Sequence, residues 1–143
     1  MTKLHAAISA VGSYVPDFVL TNAILETMVE TNDEWITSRT GIKERRILKD
    51  KDKGTAYLAI QAAKDLIEKK QLDPQTIDLV IVATATPDLL VASTAAYVAS
   101  EIGATNAFSY DLQAACSSFL YGMSTAAAYI EAGRYKKVLL IGA

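Results

Sequence analysis

Residues 107–143 read AFSYDLQAACSSFLYGMSTAAAYIEAGRYKKVLLIGA, and this stretch decides the fold. Ala107 to Leu112 reads as a strand, Cys116 to Ala132 as a helix stopped by Gly133, and Val138 to Ile141 as a strand apolar at every position. A strand without alternation is one buried on both faces. Between Cys116 and Ile130 the helix carries no charge on any side. Such a helix has to be covered all round, more than one small sheet can do. We therefore expect the chain to be part of a larger layered core, the more so because it stops two residues after a buried strand, at Gly142-Ala143.

Working back toward the N-terminus, the same pattern recurs. Leu79-Val80-Ile81-Val82-Ala83 is a second wholly apolar strand, and Ser93 to Ile102 a helix stopped by Gly103. Leu58, Ala59, Ala62, Ala63, Leu66 and Ile67 form a helical stripe. Residues 4–15 read as a first strand, with a break at Gly12 and an end at Pro16-Asp17. Thr21 or Asn22 caps a short helix; Thr31, with Glu34 three residues later, fits a capping box for another that Gly41 ends. Strands alternating with helices predict an α/β fold, a mostly parallel layered sheet with helices on both faces. No repeat or linker interrupts residues 1–143, which read as one unit.

Composition narrows the function. The 143 residues hold 14 Lys and Arg against 16 Asp and Glu, a net charge of −2, with 51% hydrophobic residues and a mean hydropathy of +0.20. That argues for a folded core and against nucleic-acid binding through phosphates. Positive charge is concentrated: residues 39–53 carry seven bases and three acids, and no base occurs between Lys70 and Arg134. No stretch reads as a membrane span or a signal peptide, and the single cysteine allows no internal disulfide, so the cytoplasm is the expected compartment.

Cys116 opens a helix, where free N–H groups favour a thiolate and can hold a developing oxyanion. It is a candidate nucleophile; the competing reading is an inert packed thiol. The only histidine, His5, lies in the first apolar segment, and nothing in the spacing brings it to Cys116. Trp35 and Arg39 are one helical turn apart and could clamp a planar base, with Lys43, Arg45 and Arg46 near phosphates; on the residues alone, a surface cation–π pair beside a solvated charge run is the favoured reading. There is no dinucleotide or P-loop fingerprint and no metal-ligand spacing.

Taken together, Gly12-Ser-Tyr-Val-Pro16, Thr21-Asn22, Thr31-Asn-Asp-Glu-Trp-Ile36, Arg39-Thr-Gly-Ile42, Glu44-Arg45, Val82-Ala-Thr84, Pro87-Asp88 and Asp111-Leu-Gln-Ala-Ala-Cys-Ser117 resemble the N-terminal half of β-ketoacyl-acyl-carrier-protein synthase III. The resemblance implies a thiolase-like fold of two similar halves, the first lacking its fifth strand here. It implies Cys116 as the residue acylated by acyl-coenzyme A, as a substrate and with no further cofactor. Trp35 and Arg39 match the pair that sandwiches the adenine, and Thr31 a contact near the base. It implies acyl carrier protein as a partner, a homodimer, and an acyl pocket reached across it by the segment that holds Val91. The family's catalytic His and Asn fall in the other half, so this chain alone is not expected to condense. The sequence departs from the family at Val91-Ala92, where Phe-Pro is common, and at Ser117-Ser118, where Ser-Gly is common. A related condensing enzyme of secondary metabolism and a non-catalytic coenzyme-binding module are the alternative readings.

Overall fold

The computed structural model describes residues 4–143, which gather into two compact units: residues 15–53, and a larger unit comprising the segment up to Tyr14 together with Gly54–Ala143.

The smaller unit contains β1 (Val19–Thr21), α1 (Asn22–Glu26), α2 (Asp33–Thr40) and β2 (Glu44–Arg46). β1 and β2 pair antiparallel, Leu20 opposite Arg45. Thr21 caps α1, its hydroxyl accepting from the Ile24 N–H. Gly41 ends α2 with φ 71°, as its position predicted. The cap of α2 is Asn32 and not Thr31: Asn32 Oδ1 accepts from the Trp35 N–H at 2.8 Å, so the helix begins one residue later than the capping box implied. Asn is at least as good a cap as Thr, and an acceptor at position 32 reaches the third N–H beyond it.

The larger unit follows as α3 (Thr55–Lys70), β3 (Leu79–Ala83), α4 (Thr94–Glu101), β4 (Phe108–Leu112), α5 (Ser118–Glu131) and β5 (Val138–Gly142). The sheet is parallel throughout, in the order β4-β3-β5. β3 is central and every one of its residues is buried, as its unbroken apolar run predicted. Val80 and Val82, with Leu139 and Ile141 of β5, meet Ala59, Ile60 and Ala63 of α3 and Val98 and Ala99 of α4 in one core. On the opposite face α5 lies so close to β5 that a Cβ on Gly122 would come within 2.5 Å of Leu140 Cδ1. Helices thus cover both faces, as expected.

One predicted strand is absent. Residues 4–15 form no ladder with any strand, and Leu4, Ile8, Val11 and Val15 are exposed. An extended segment becomes a strand only when a neighbour offers its N–H and C=O groups, and here the segment is instead carried along α3. Ser13 N–H donates to Asp65 Oδ2 at 2.9 Å, and Gly12 sits where a Cβ would strike the Ala62 carbonyl at 2.6 Å. Gly12 is therefore a point of close backbone approach rather than a break in a strand.

Two aspartates fasten helices to strand ends. Asp111, in β4, accepts from the Thr94 and Ala95 N–H groups at 2.8 and 2.7 Å and from Ser93 Oγ at 3.1 Å, supporting the start of α4. Asp88 accepts from the Thr55 and Ala56 N–H groups at 2.8 and 2.6 Å, serving the start of α3, whose own cap Gly54 has no side chain to offer.

Candidate active site

β4 ends at Leu112, and a turn of a few residues leads into α5. Ala115–Ser117 form one 3₁₀ turn, and the α-helix proper begins at Ser118. The expected helix from Cys116 therefore starts two residues later, with Cys116 on the turn that precedes it. The cause is local: Ala115 has φ 47°, a left-handed conformation that a regular helix excludes and a non-glycine residue adopts only at a cost. The Cys116 side chain is exposed. The turn is tied by Ser118, whose hydroxyl accepts from the Ala114 N–H at 2.6 Å and donates to the Ala115 carbonyl at 2.7 Å. A strand, a sharp turn with one positive φ and a helix present a side chain outward at the head of the helix. His5 is exposed and makes no bond to Cys116.

Past the turn, α5 shows the face its sequence led one to expect. Phe119, Leu120 and Tyr121 are exposed, Leu120 at 67%. Leu90 and Val91, on the connection between β3 and α4, are 97% and 99% exposed and touch nothing that would bury them.

In the smaller unit Trp35 and Arg39 do share a face of α2. The guanidinium carbon lies over the indole, 4.5 Å from its centroid, too close for a third plane to fit between them. Trp35 remains 52% exposed, and with Glu30, Thr31 and Asn32 it lines an open depression of about 320 Å³. α2 is held in place by Asn22, a residue whose structural role the sequence did not disclose. Asn22 is 2% exposed, and its Nδ2 donates to Asp33 Oδ1 at 2.7 Å and to the Ile42 carbonyl at 2.9 Å. Its Oδ1 accepts from Arg45 Nη1 at 2.7 Å. The bond from Asn22 foremost, and next a 3.1 Å bond that the Thr37 hydroxyl donates to Asp33 Oδ1, hold the Asp33 carboxyl below its ordinary pKa. Arg45 is thus engaged inside the unit rather than free for a phosphate.

Among the described residues no group of three His, Cys, Asp or Glu side chains is placed to hold a metal ion, and no helix is long and apolar enough to cross a membrane.

Comparison with known proteins agrees with this architecture. The family described as 3-oxoacyl-[acyl-carrier-protein] synthase III matches residues 110–143, the segment that holds Cys116. β-Ketoacyl-[acyl-carrier-protein] synthase III of Porphyromonas gingivalis is 55% identical over 141 residues, 99% of this chain and 42% of that protein. The crystal structure of 3-oxoacyl-[acyl-carrier-protein] synthase III from Aquifex aeolicus superposes with a TM-score of 0.89 at 45% identity, over 100% of this chain and 44% of that one. A priming β-ketosynthase of a polyketide biosynthetic pathway superposes with a TM-score of 0.92 at 34% identity, over 98% of this chain and 42% of the other. The chain thus spans less than half the length of the relatives it matches. Along its whole length, in both sequence and fold, the chain is thus similar to the N-terminal half of β-ketoacyl-[acyl-carrier-protein] synthase III.

Proposed function

We propose that the chain is the acyl-loading half of a condensing enzyme of fatty-acid synthesis. The Cys116 thiolate attacks the carbonyl carbon of an acyl-coenzyme A thioester. The tetrahedral intermediate collapses with the C–S bond to coenzyme A breaking, and the released coenzyme A thiolate takes up the proton that the cysteine gave away. The acyl-enzyme then reacts with malonyl-carrier protein, a step whose acid–base groups lie outside this chain. The exposed thiol on the Ala115 turn at the head of α5 carries the reading. A helix head presents N–H groups to the negative charge that develops on the carbonyl oxygen.

Trp35, Arg39 and Thr31 hold the adenine end of the coenzyme. With the guanidinium resting on the indole, the base enters only when Arg39 turns aside and restacks upon it, the aromatic and the cation then facing the base from opposite sides. Val91 supplies one wall of the acyl pocket of a partner subunit in a homodimer. No cofactor beyond the substrate takes part, and the protein works in the cytoplasm.

Incubation with acetyl-coenzyme A followed by mass spectrometry tests the loading step. One acetyl group on the wild-type protein and none on Cys116→Ala is the expected pair of results. Binding of coenzyme A without transfer of any acyl group would make the protein a binding module instead. A polyketide primer is the second reading, favoured by the close superposition of the priming β-ketosynthase; transfer from longer acyl donors in preference to acetyl would select it.

A further inference from the structure

Ser118 is only 3% exposed, and both capacities of its hydroxyl are used on the two residues that precede Cys116. It accepts from the Ala114 N–H at 2.6 Å and donates to the Ala115 carbonyl at 2.7 Å. Ala115, between those two bonds and directly before the thiol, is the residue with φ 47°. A left-handed alanine persists only where its surroundings over-determine it. Neither Ala114 nor Ser117, the caps of the 3₁₀ turn and of α5, contributes a side-chain cap bond. The Ser118 hydroxyl is thus the side-chain group that bridges the turn.

We infer that Ser118 is a positioning residue for Cys116: it fixes Ala115 in the left-handed conformation and thereby sets the direction in which the thiol is presented. The inference rests on the reading of Cys116 as the acyl acceptor and deepens it. Position 118 is also where the sequence carries Ser in place of the Gly the family resemblance leads one to expect.

Cys116 and Trp35 are the only cysteine and the only tryptophan of the sequence, and each serves as its own probe. Alkylation by iodoacetamide reads the thiol, and indole fluorescence reads coenzyme A binding. Ser118→Ala is expected to slow alkylation on the order of tenfold, as a misdirected reacting atom does, with coenzyme A affinity unchanged. Adding Ala115→Gly to that variant lets position 115 take a positive φ without strain, and is expected to restore the alkylation rate. A structural role unconnected with Ala115 would not be rescued in this way. If Ser118→Ala fails to fold, folding and normal alkylation of the double variant give the same support. Wild-type alkylation in Ser118→Ala, or a deficit that Ala115→Gly leaves in place, would overturn the inference. A wild-type protein that alkylates readily yet accepts no acetyl from acetyl-coenzyme A would sink the acyl-acceptor reading while leaving the alkylation result on Ser118 intact.

Discussion

Asn22 Nδ2 stands 2.7 Å from Asp33 Oδ1, and through that bond a buried amide holds the first residue of the helix that carries Trp35. Because the folded-state pKa of Asp33 is depressed, its contribution to stability is fully present above the ordinary carboxylate value and is lost as pH falls through the lowered one. Asn22→Ala removes the foremost cause of that depression. The Asp33 titration, followed by carboxyl carbon NMR, is expected to move up in pH, and the acid-side loss of stability to become shallower. At neutral pH the unit should lose stability, since Asp33, Ile42 and Arg45 each give up a hydrogen bond to this buried side chain. An unchanged Asp33 titration would show that Thr37 and the charge of Lys43 sustain the shift without Asn22.

Trp35→Ala should weaken coenzyme A binding by one to two decades in the full-length protein, because stacking on an aromatic is worth roughly 1–3 kcal/mol. Equilibrium dialysis with coenzyme A measures it. Equal affinity in the variant would return the Trp35–Arg39 contact to the status of a surface cation–π pair.

At Gly122 an added Cβ would meet Leu140 Cδ1 at 2.5 Å, so a methyl group there has to displace the end of the Leu140 side chain. Gly122→Ala should therefore cost about 1–3 kcal/mol by overpacking, in spite of alanine's better helix propensity. Pairing it with Leu140→Ala should recover part of the loss, since the two changes share one volume. Urea unfolding of the two single variants and the double variant gives the coupling; additive costs would mean that α5 shifts freely on β5.

Val91 is almost wholly exposed, so Val91→Phe should leave stability within about 0.5 kcal/mol of the wild type. In the full-length protein the same change is expected to narrow the range of acyl-coenzyme A donors toward short chains. Loading rates with acetyl and longer donors compare the two proteins; a strict preference for acetyl that Val91→Phe does not alter would take Val91 out of the pocket.

The layered core was legible because burial writes itself into composition. An unbroken run such as Leu79–Ala83 has one placement, between helices, and a helix uncharged from Ser118 to Ile130 calls for more cover than one small sheet gives. The strand read at 4–15 failed because an apolar segment bounded by a turn records which residues could be extended, not whether a partner backbone is present to pair with them. β2 went unread for a different reason: Glu44-Arg45-Arg46 has no apolar residue, and its pairing with β1 depends on a contact more than twenty residues away. At the candidate site, residue types pointed to Cys116, Trp35 and Arg39. The turn that presents the thiol did not show, since a positive φ at an alanine leaves no trace in the residue's identity. Asn22 was read only as a possible cap, because its side-chain partners come from Asp33, Ile42 and Arg45, which no local pattern connects to it.

Asp111 has a mechanical consequence. The connection that carries Val91 runs into Ser93, whose hydroxyl is bound to Asp111, and the chain from Asp111 reaches the thiol turn within five residues. Substituting Asp111 would therefore release the start of α4, and with it the anchored end of the connection that carries Val91, from the strand that leads to Cys116.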